Sequence, residues 1–360
     1  MKPKFPTEAR ISSLHCLAYL LKIAQPFRWR LTTLSILVAS ATEAFGQVMY
    51  SVTDLGFINT SYALSINTSG QIAVNETAIS ILSPYSPLGK SINDSGQTVQ
   101  GDYLYSGGTA TTLGSPAPGD ANASGINNSG QVVGTVTTTE ATGGGGFNQA
   151  FLYTGGTMTD LGQGSAIAIN NSGQIVGFTT VLRGNIPYHA FLFSSGIDLG
   201  AMFVGDPQSW ATAINNNGQV VGQYDNSSYH AFLYSGGTMT DLGALPGTAS
   251  SEAHGINDSG QIVGYCFNNV NGAGVAAFLY NNGTMTDLNS LIPANSDWDL
   301  INAEGINNNG QIVGYGTNPS GQTDAFLLTP VPEPSTDALS VTGAAVLVAS
   351  RRIKYRVTIH

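Results

Sequence analysis

One short sequence element recurs seven times along the chain and limits the folds that this chain can adopt. It reads Ile, Asn, two polar residues, Gly, Gln and then mostly β-branched residues, and Gly125–Gly134 and Gly255–Gly264 are clear copies. The glycines of the seven copies stand at positions 70, 96, 130, 173, 218, 260 and 310, so successive spacings are 26, 34, 43, 45, 42 and 50 residues. Such periods are typical of propellers and solenoids.

A second element lies between the copies, and His230–Gly243 is its fullest form. Its Ala-Phe-Leu-Tyr and Met-Thr-Asp-Leu runs predict two short strands, joined by a Ser-Gly-Gly-Thr turn in which Gly accepts positive φ. The Ile-Asn run and the Gln-Ile-Val-Gly run predict two more strands around an Asn-Asn-Ser-Gly hairpin turn. Four strands in about 42 residues predict an all-β fold, a seven-bladed β-propeller, with a β-solenoid as the alternative.

The two ends of the repeat region are complementary halves of one unit. The first unit begins in mid-repeat at Ser51–Gly56, and the last unit stops after Asp324–Leu328. Pairing the two segments would complete the last blade and leave no open sheet edge. An open solenoid has no need of such halves, so they favour a propeller closed by its N- and C-terminal strands.

Charge is concentrated at the two ends of the chain. Ten of the twelve Lys and Arg residues lie before Leu31 or after Ser350. Between Phe45 and Pro334, two basic residues stand against 19 acidic ones, a net charge of −17. This balance argues against nucleic acid as a partner, because nucleic-acid affinity depends on neutralising phosphates. The two cysteines, one of them in the leader, exclude a disulfide framework.

Both ends have the organisation of processing segments. Residues 1–44 carry basic residues up to Arg30, an apolar run and then small residues, which predicts a secretory signal, with an uncleaved membrane anchor as the alternative. Residues 45–329 form the repeat domain. Residues 330–360 contain Pro332, Glu333 and Pro334, an apolar run over residues 338–350 and a basic end that includes Arg351 and Arg352. Basic residues after an apolar segment hold that end in the cytoplasm.

The tail resembles the PEP-CTERM sorting signal of Gram-negative bacteria that make extracellular polysaccharide, and the two repeated elements resemble the HAF family of extracellular repeats. The resemblance implies that Pro332, Glu333 and Pro334 are recognised by exosortase, a membrane protease, and that the protein proceeds to the cell surface or the matrix after transient inner-membrane anchoring. Two features depart from the family. Asp337 stands where an aromatic or apolar residue is usual, and the apolar run has 13 residues, fewer than the ~20 that span a bilayer.

The connections of a propeller alternate between two faces. The tight turns fall together on one face, while long and dissimilar loops fall on the other, where binding usually resides. That face collects aromatic residues with neighbouring charged groups, which suit a carbohydrate. The candidate binding residues are Arg183, Tyr188, Asp206, Trp210, Asp225 and Trp298. The alternative is that Trp210 and Trp298 pack beneath their own loops.

Acids recur at one phase of the repeat, at Asp54, Asp160, Asp198, Asp241 and Asp287, and the shared phase predicts turn-capping residues rather than catalysts. His189 and His230 also share a phase, which predicts a structural role. His254 stands alone, and we expect it to be exposed and without a partner. The Asn-Asn-Ser-Gly turns are rich in oxygen, so calcium is a weak alternative to the absence of any cofactor, although they lack the carboxylates of a Ca²⁺ loop.

The sequence contains no nucleophile elbow, phosphate loop or zinc spacing. We therefore expect a non-enzymatic protein of the cell surface or extracellular matrix, with a binding or scaffold role toward exopolysaccharide or envelope components. A glycan-processing enzyme on the same scaffold and a purely structural matrix protein are the alternatives.

Overall fold

The computed structural model describes residues 48–57, 64–74, 91–114, 119–138, 147–183, 186–203, 205, 207–268 and 275–332. All of them belong to one compact unit, Val48–His360. The leader and the residues after Pro332, including Glu333, Pro334, Arg351 and Arg352, lie outside the described residues. Within these ranges, no helix has the length and apolar character needed to cross a membrane.

The described residues form an all-β propeller of 26 strands with two short 3₁₀ helices, Gly200–Met202 and Leu288–Leu291. In chain order the strands are β1 (Tyr50–Phe57), β2 (Leu64–Ile66), β3 (Ile72–Val74), β4 (Ser91–Ile92), β5 (Thr98–Gln100), β6 (Tyr103–Ser106), β7 (Thr109–Thr112), β8 (Gly119–Ile126), β9 (Val132–Thr138), β10 (Phe147–Thr154), β11 (Thr157–Gln163), β12 (Ser165–Ile169), β13 (Ile175–Arg183), β14 (Ile186–Leu192), β15 (Ile197–Asp198), β16 (Ser209–Ile214), β17 (Val220–Asp225), β18 (Tyr229–Ser235), β19 (Thr238–Gly243), β20 (Ser250–Ile256), β21 (Ile262–Phe267), β22 (Ala276–Asn281), β23 (Thr284–Asp287), β24 (Asp299–Ile306), β25 (Ile312–Thr317) and β26 (Thr323–Pro330).

Six sheets have four antiparallel strands each, and we call them blades 1 to 6. Blade 1 is β4–β7, blade 2 is β8–β11, blade 3 is β12–β15, blade 4 is β16–β19 and blade 5 is β20–β23. Blade 6 combines β24, β25 and β26 with β1 from the start of the domain. Among the described residues, a seventh sheet contains β2 and β3, and its inner strand β2 lies beside both β4 and β24.

The first and last strands of the domain close the ring. In the β1–β26 pair, Val52 faces Leu328, Asp54 faces Phe326 and Gly56 faces Ala325. The predicted pairing of Ser51–Gly56 with Asp324–Leu328 is therefore confirmed, and the β-solenoid alternative is wrong. Beyond the strands, the Val331 N–H donates to the Met49 carbonyl at 2.8 Å, so the two ends of the domain meet at one edge of blade 6.

The prediction of seven four-stranded blades is not matched, because six such blades are found. The difference lies in the short unit between Gly70 and Gly96, which has only 26 residues in place of the usual 42 or more. Of this unit the structure describes β3 and β4, and residues 75–90 lie outside the described residues. The following unit, although short, contributes three of the four strands of blade 1, β5, β6 and β7.

The repeated Ile-Asn element forms the turn between the first and second strands of each sheet. In the copy at Asn127, the Gly130 N–H donates to the Asn127 carbonyl and the Asn127 N–H donates to the Gln131 carbonyl, both at 3.0 Å. Gly130 has a φ of 74°, a conformation that favours glycine. The Asn127 carboxamide oxygen accepts the backbone N–H groups of Ser129 and Gln131, which explains the fixed Asn-x-x-Gly-Gln spacing.

The same asparagines join the sheets to one another. Each Asn side chain donates from Nδ2 to the backbone carbonyl of the equivalent Asn in the next sheet, over distances of 2.9–3.1 Å. The last of these bonds runs from Asn307 to Asn67 and closes a circle. We call this circle the asparagine ring, and its members are Asn67, Asn93, Asn127, Asn170, Asn215, Asn257 and Asn307.

The cores lie between neighbouring sheets. The Ala-Phe-Leu strands supply one buried Phe to each of blades 2, 4, 5 and 6, at Phe151, Phe232, Phe278 and Phe326. The residue before each of these, such as Ala231 before Phe232, is also fully buried. Alternate strand residues point to opposite faces of a sheet, so each blade packs against both of its neighbours.

We predict that Asn215→Ala lowers the free energy of unfolding by about 2–4 kcal/mol, because it leaves the Asn257 carbonyl and the N–H groups of Asn217 and Gln219 without their buried partner. Chemical denaturation measures the change. Asn226→Ala is the matched control, since Asn226 is exposed, and its effect should stay within about 0.5 kcal/mol. Equal effects of the two substitutions would contradict a stabilising role for the asparagine ring.

Candidate functional site

The two faces of the propeller differ as the repeat predicts. One face carries the Asn-x-x-Gly turns and the turns between third and fourth strands, and we call it the turn face. The opposite face carries the connections between second and third strands and those between blades, and we call it the loop face. One of the long loops predicted for this face, over residues 179–188, is mostly strand, because β13 runs to Arg183 and β14 begins at Ile186.

A β-bulge in the first strand of five blades directs one side chain into the central channel. In blade 5, Ala253 pairs with Gly264 and Gly255 pairs with Val263, which leaves His254 as the extra residue. A bulge of this kind re-aims a side chain. The five bulge residues are Ser124, Ile167, Thr212, His254 and Glu304. All five line one cavity of about 420 Å³, which we call the channel cavity.

A glycine opposite each bulge makes the close approach of the strands feasible. A Cβ on Gly264 would lie 1.9 Å from the Glu252 carbonyl oxygen, and one on Gly222 would lie 2.0 Å from that of Trp210. The β2–β3 sheet has Val74 at the equivalent position, and its described pairs, from Leu64–Val74 to Ile66–Ile72, contain no bulge. The final Gly of the Gln-Ile-Val-Gly run therefore marks which blades aim a side chain into the channel.

The channel cavity has an apolar floor. Six isoleucines that directly precede ring asparagines line it, and they also line a smaller cavity of about 210 Å³ on the turn-face side. Together with Ile92 they form an isoleucine ring that separates the two cavities. The channel cavity thus lies on the loop-face side of the isoleucine ring, in the centre of the propeller.

His254 lies between two carboxylates in this cavity. Its Nδ1 is 3.3 Å from Glu304 Oε2, and its Nε2 is 3.9 Å from Glu252 Oε2. Its side chain is 19% exposed. The expectation of a lone, exposed histidine is therefore wrong, because Glu304 comes from the next blade, fifty residues along the chain. Burial by itself would lower the pKa of His254, but hydrogen bonding and attraction from Glu252 and Glu304 outweigh it and raise the pKa to about 9.

A row of aromatic rings crosses three blades at the loop face. The ring centroids of Tyr188 and Trp210 are 6.2 Å apart, those of Trp210 and Tyr229 are 6.2 Å apart, and those of Tyr229 and Phe267 are 6.3 Å apart. We call these four residues the aromatic row. Tyr188 and Trp210 are the residues selected from the sequence. Tyr229 and Phe267 were missed, although both stand at strand ends on this face.

The row continues toward the channel. Phe267 stacks on Tyr265 with centroids 5.2 Å apart, and Tyr265 lies 5.4 Å from the His254 ring. Burial, and then the nearby Glu252 carboxylate, raise the pKa of the Tyr265 hydroxyl. A continuous set of ring contacts therefore connects the exposed Tyr188, 37% exposed, with the bulge residue of blade 5.

The other selected residues are distributed differently. Asp225 ends β17 beside the aromatic row and is half-buried. Arg183 ends β13 at the loop face; its side chain and all of Asp206 lie outside the described residues. Trp298 does not join the row. Its ring meets the Phe326 ring edge-on, with centroids 6.2 Å apart, and Trp298 packs on the core of blade 6. This packing agrees with the alternative prediction for the two tryptophans, in which they do not form a binding surface.

The phased acids and histidines have the structural roles that the repeat predicts. Asp54, Asp160, Asp241 and Asp287 each accept the backbone N–H two residues ahead at 2.8 Å. Asp198 accepts the N–H of Ala201, three residues ahead, at 3.1 Å. His189 and His230 contact the acid of the adjacent strand, with Nδ1–carboxylate distances of 3.0 Å. These pairs stabilise the outer half of their blades.

The turn-face opening is lined by the residues that follow the ring asparagines. Asp94 and Asp258 accept backbone N–H groups from the preceding sheet, Thr68 and Asn216 respectively. Burial alone would raise the pKa of Asp94 and Asp258, but these hydrogen bonds, with others from side-chain amides, lower both pKa values below their ordinary range. The turn oxygens considered for calcium are thus acceptors in hydrogen bonds between sheets.

The sequence of residues 159–326, slightly less than half of the chain, matches the family described as "Protein of unknown function (DUF3466)". No curated protein matches the sequence. Among solved structures, the β-propeller domain of the Trilobed protease from Pyrococcus furiosus, reported to have an open velcro topology, is similar at 10% identity and a TM-score of 0.37. The similarity covers 52% of this chain and 60% of that one.

Two further structures are similar at the same identity. An endo-arabinase from Bacteroides thetaiotaomicron has a TM-score of 0.28, with 57% of this chain and 90% of that chain covered. A mutant of AofleA from Arthrobotrys oligospora has a TM-score of 0.31, with 80% and 91% covered. The propeller architecture itself is established by the hydrogen-bonded sheets of this chain.

We predict that the His254 imidazole titrates near pH 9 and that Glu304→Gln lowers this value. The folded pKa lies above the ordinary value of 6.5, so the stability that this group contributes is complete below about pH 6.5 and is lost as pH rises toward about 9. Imidazole NMR signals, assigned with His254→Gln, measure the pKa, and thermal unfolding across this pH range measures the loss. A titration of His254 at or below pH 6.5 would contradict the assigned ion pairs.

Proposed function

We propose that this protein is exported to the cell surface or extracellular matrix and binds exopolysaccharide or another envelope component, without catalysis, through its loop face. The observation that carries the proposal is the aromatic row on that face. Tyr188, Trp210, Tyr229 and Phe267 come from three neighbouring blades, so they offer a succession of rings rather than a single one. Aromatic residues that keep a polar tip are favoured at partly wet binding surfaces.

The aromatic row has the regular spacing and the neighbouring polar group that suit binding of a polysaccharide chain. Neighbouring centroids are spaced by 6.2 to 6.3 Å, and Asp225 lies beside the rings at the end of β17. Rings contact the apolar face of a sugar, and carboxylates and amides accept hydrogen bonds from its hydroxyls. The strands beneath hold these side chains on a fixed scaffold, which lowers the entropic cost of binding.

The proposed sorting route is compatible with a loop face that points away from the membrane. β1 begins and β26 ends at the turn face, and the exposed Pro332 follows directly. We infer that Pro332, Glu333 and Pro334 are recognised by an exosortase-type membrane protease, with Arg351 and Arg352 held at the cytoplasmic side. A tail that leaves from the turn face would direct the loop face away from the membrane.

We further infer that the β2–β3 sheet is the inner half of a seventh blade. Asn67 occupies one of the seven places in the asparagine ring, and β2 occupies the inner-strand position between β24 and β4. A crystal structure in which the β2–β3 sheet has two strands in total would refute the inference.

A glycan-processing enzyme is the second candidate. Glu252 and Glu304 lie on either side of His254 near the loop-face side of the channel, and glycoside hydrolysis commonly uses a pair of carboxyl groups. Release of reducing ends from the host exopolysaccharide by the purified domain would favour this candidate. A purely structural matrix protein would bind no polysaccharide, while deletion of its gene would still alter the biofilm.

We predict that Trp210→Ala weakens binding to host exopolysaccharide by about tenfold, the equivalent of about 1.4 kcal/mol, because it interrupts the aromatic row at its centre. Pull-down with the isolated polysaccharide measures the binding. Trp298→Ala is the matched control. It should bind normally but lose about 2–3 kcal/mol of stability, since Trp298 packs on the core of blade 6. Undiminished binding by Trp210→Ala would refute the role of the row.

We predict that a Glu333→Ala, Pro334→Ala double variant accumulates uncleaved in the membrane fraction of the host, because the recognition triplet is lost. Immunoblots of membrane, surface and medium fractions measure the size and location of the protein. Ser335→Ala, next to the triplet, should be processed normally. Normal processing of the double variant would contradict the proposed exosortase recognition.

A further inference from the structure

Blade 6 departs from a side-chain pairing found in blades 2, 3 and 4, and the departure lies at the closure of the ring. In those three blades, the residue directly before Ala-Phe places a nitrogen 3.0–3.3 Å from the phased acid of the adjacent strand. In blade 6, the residue directly before Ala-Phe is Asp324 and the phased acid is Asp54. We propose that Asp54 and Asp324 hold one proton between them and that this proton makes the β1–β26 closure sensitive to pH.

The strand register places the two carboxyl groups together. In blade 4, Asp241 pairs with the Phe of Ala-Phe next to a bulge, and His230 Nδ1 lies 3.0 Å from its carboxylate. In blade 6, Asp54 pairs with Phe326 next to the same bulge. The equal register puts a carboxyl group, that of Asp324, where blade 4 has an imidazole. The carboxyl groups of Asp54 and Asp324 accordingly lie within hydrogen-bonding reach of each other.

The other hydrogen bonds of the pair leave one oxygen on each side. Asp324 is 4% exposed, and its Oδ2 accepts from Asn318 Nδ2 at 2.6 Å. Its Oδ1 is buried and receives no hydrogen bond from a donor among the described residues. Asp54 Oδ1 accepts the Gly56 N–H at 2.8 Å, which leaves its Oδ2 for Asp324. Two ionised carboxylates only accept, whereas a protonated carboxyl group donates its O–H to its neighbour.

The surroundings of Asp324 supply no positive charge. Its strand partners are Gly316 of β25 and Phe57 of β1, neither of which is titratable. Asp324 shares a face of the sheet with Phe326, which packs in an apolar cluster with residues of blade 5 such as Leu288. Among the described residues, the charged group that acts on Asp324 is Asp54.

The balance of these interactions favours a protonated pair. Burial raises the pKa of Asp324, the hydrogen bond from Asn318 lowers it, and the Asp54 carboxylate raises it, so the pKa lies above its ordinary value of 3.8. Two carboxyl groups in contact do not ionise together without a cost, so they share one proton. The stability that the proton contributes is complete below about pH 3.8 and is lost as the pH rises through the folded pKa of Asp324.

The experiment makes one chemical change at equivalent positions of two blades in the full chain. At about pH 8, Asp54→Asn should raise the midpoint of thermal unfolding by about 2–4 °C, because its amide donates to Asp324 and removes the repulsion. Asp241→Asn should lower the midpoint, because Asp241 accepts the Tyr224 hydroxyl and contacts His230. The gain from Asp54→Asn should vanish toward about pH 4, where the wild-type pair holds its proton.

Two further measurements distinguish a shared proton from a merely structural role. Carboxyl-carbon NMR of aspartate-labelled protein, assigned with Asp324→Asn, should show Asp324 titrating above pH 3.8 in the wild type and at a lower pH in Asp54→Asn. Asp324→His should also raise the midpoint at about pH 8, because it restores the pairing of blades 3 and 4. His189, which is 1% exposed, shows that this position accommodates a buried imidazole.

The inference is overturned if Asp324 titrates at or below pH 3.8. It is also overturned if Asp54→Asn lowers the unfolding midpoint as Asp241→Asn does. A divalent cation between the two carboxylates is the competing outcome. In that case about 1 mM Ca²⁺, within the affinity range of extracellular calcium modules, would stabilise the wild type and not Asp54→Asn, and the shared proton would be refuted.

Discussion

The asparagine ring is the interaction on which the remainder of the structure depends. Within one sheet, an asparagine such as Asn170 holds its own turn by accepting the N–H groups of Ser172 and Gln174. Between sheets, the same side chain donates to the carbonyl of Asn215. A single residue thus sets both the turn geometry and the spacing of neighbouring blades. Because the ring tolerates no insertion, changes in length between repeats occur on the loop face.

The bulges allow each of five blades to place one side chain in the channel, and the identity of that side chain varies from blade to blade while the backbone stays the same. Glycines such as Gly264 allow the strands to approach closely, and the extra residue of the first strand then enters the channel. Five bulges contribute Ser, Ile, Thr, His and Glu to one cavity without altering the turns below. The lining of the cavity is therefore independent of the element that maintains the fold, and it differs on each side of the channel.

Much of the fold could be predicted from the sequence, because its determinants are local and repeated. Periodicity revealed the propeller, the half-repeats revealed the β1–β26 closure, and the phase of Asp160 and His230 revealed their structural roles. The number of four-stranded blades could not be predicted by counting repeats. The short unit after Gly70 contains the Ile-Asn element but has fewer residues than the other units.

The candidate site was less predictable, because its contacts join distant repeats. His254 has no partner in its own repeat except Glu252; Glu304 reaches it only because blade 6 follows blade 5 in the ring. Trp210 and Trp298 both lie near the start of the first strand of a blade. Trp298 contacts Phe326 and packs on a core, whereas Trp210 contacts Tyr229 and belongs to the aromatic row. The final Gly of each Gln-Ile-Val-Gly run was a usable signal for the bulges.

The β1–β26 closure also determines how the domain bears a mechanical load. Met49 and Val331 lie side by side at one end of the pair. A pull that separates these two ends would open the hydrogen bonds of the pair one after another, beginning at Tyr50 and Pro330. A pull between Pro332 and a ligand on the loop face would instead run along the strands and load many hydrogen bonds at once. The proposed tether at the C-terminal end alone would therefore let the domain resist drag on the proposed ligand in its stronger direction.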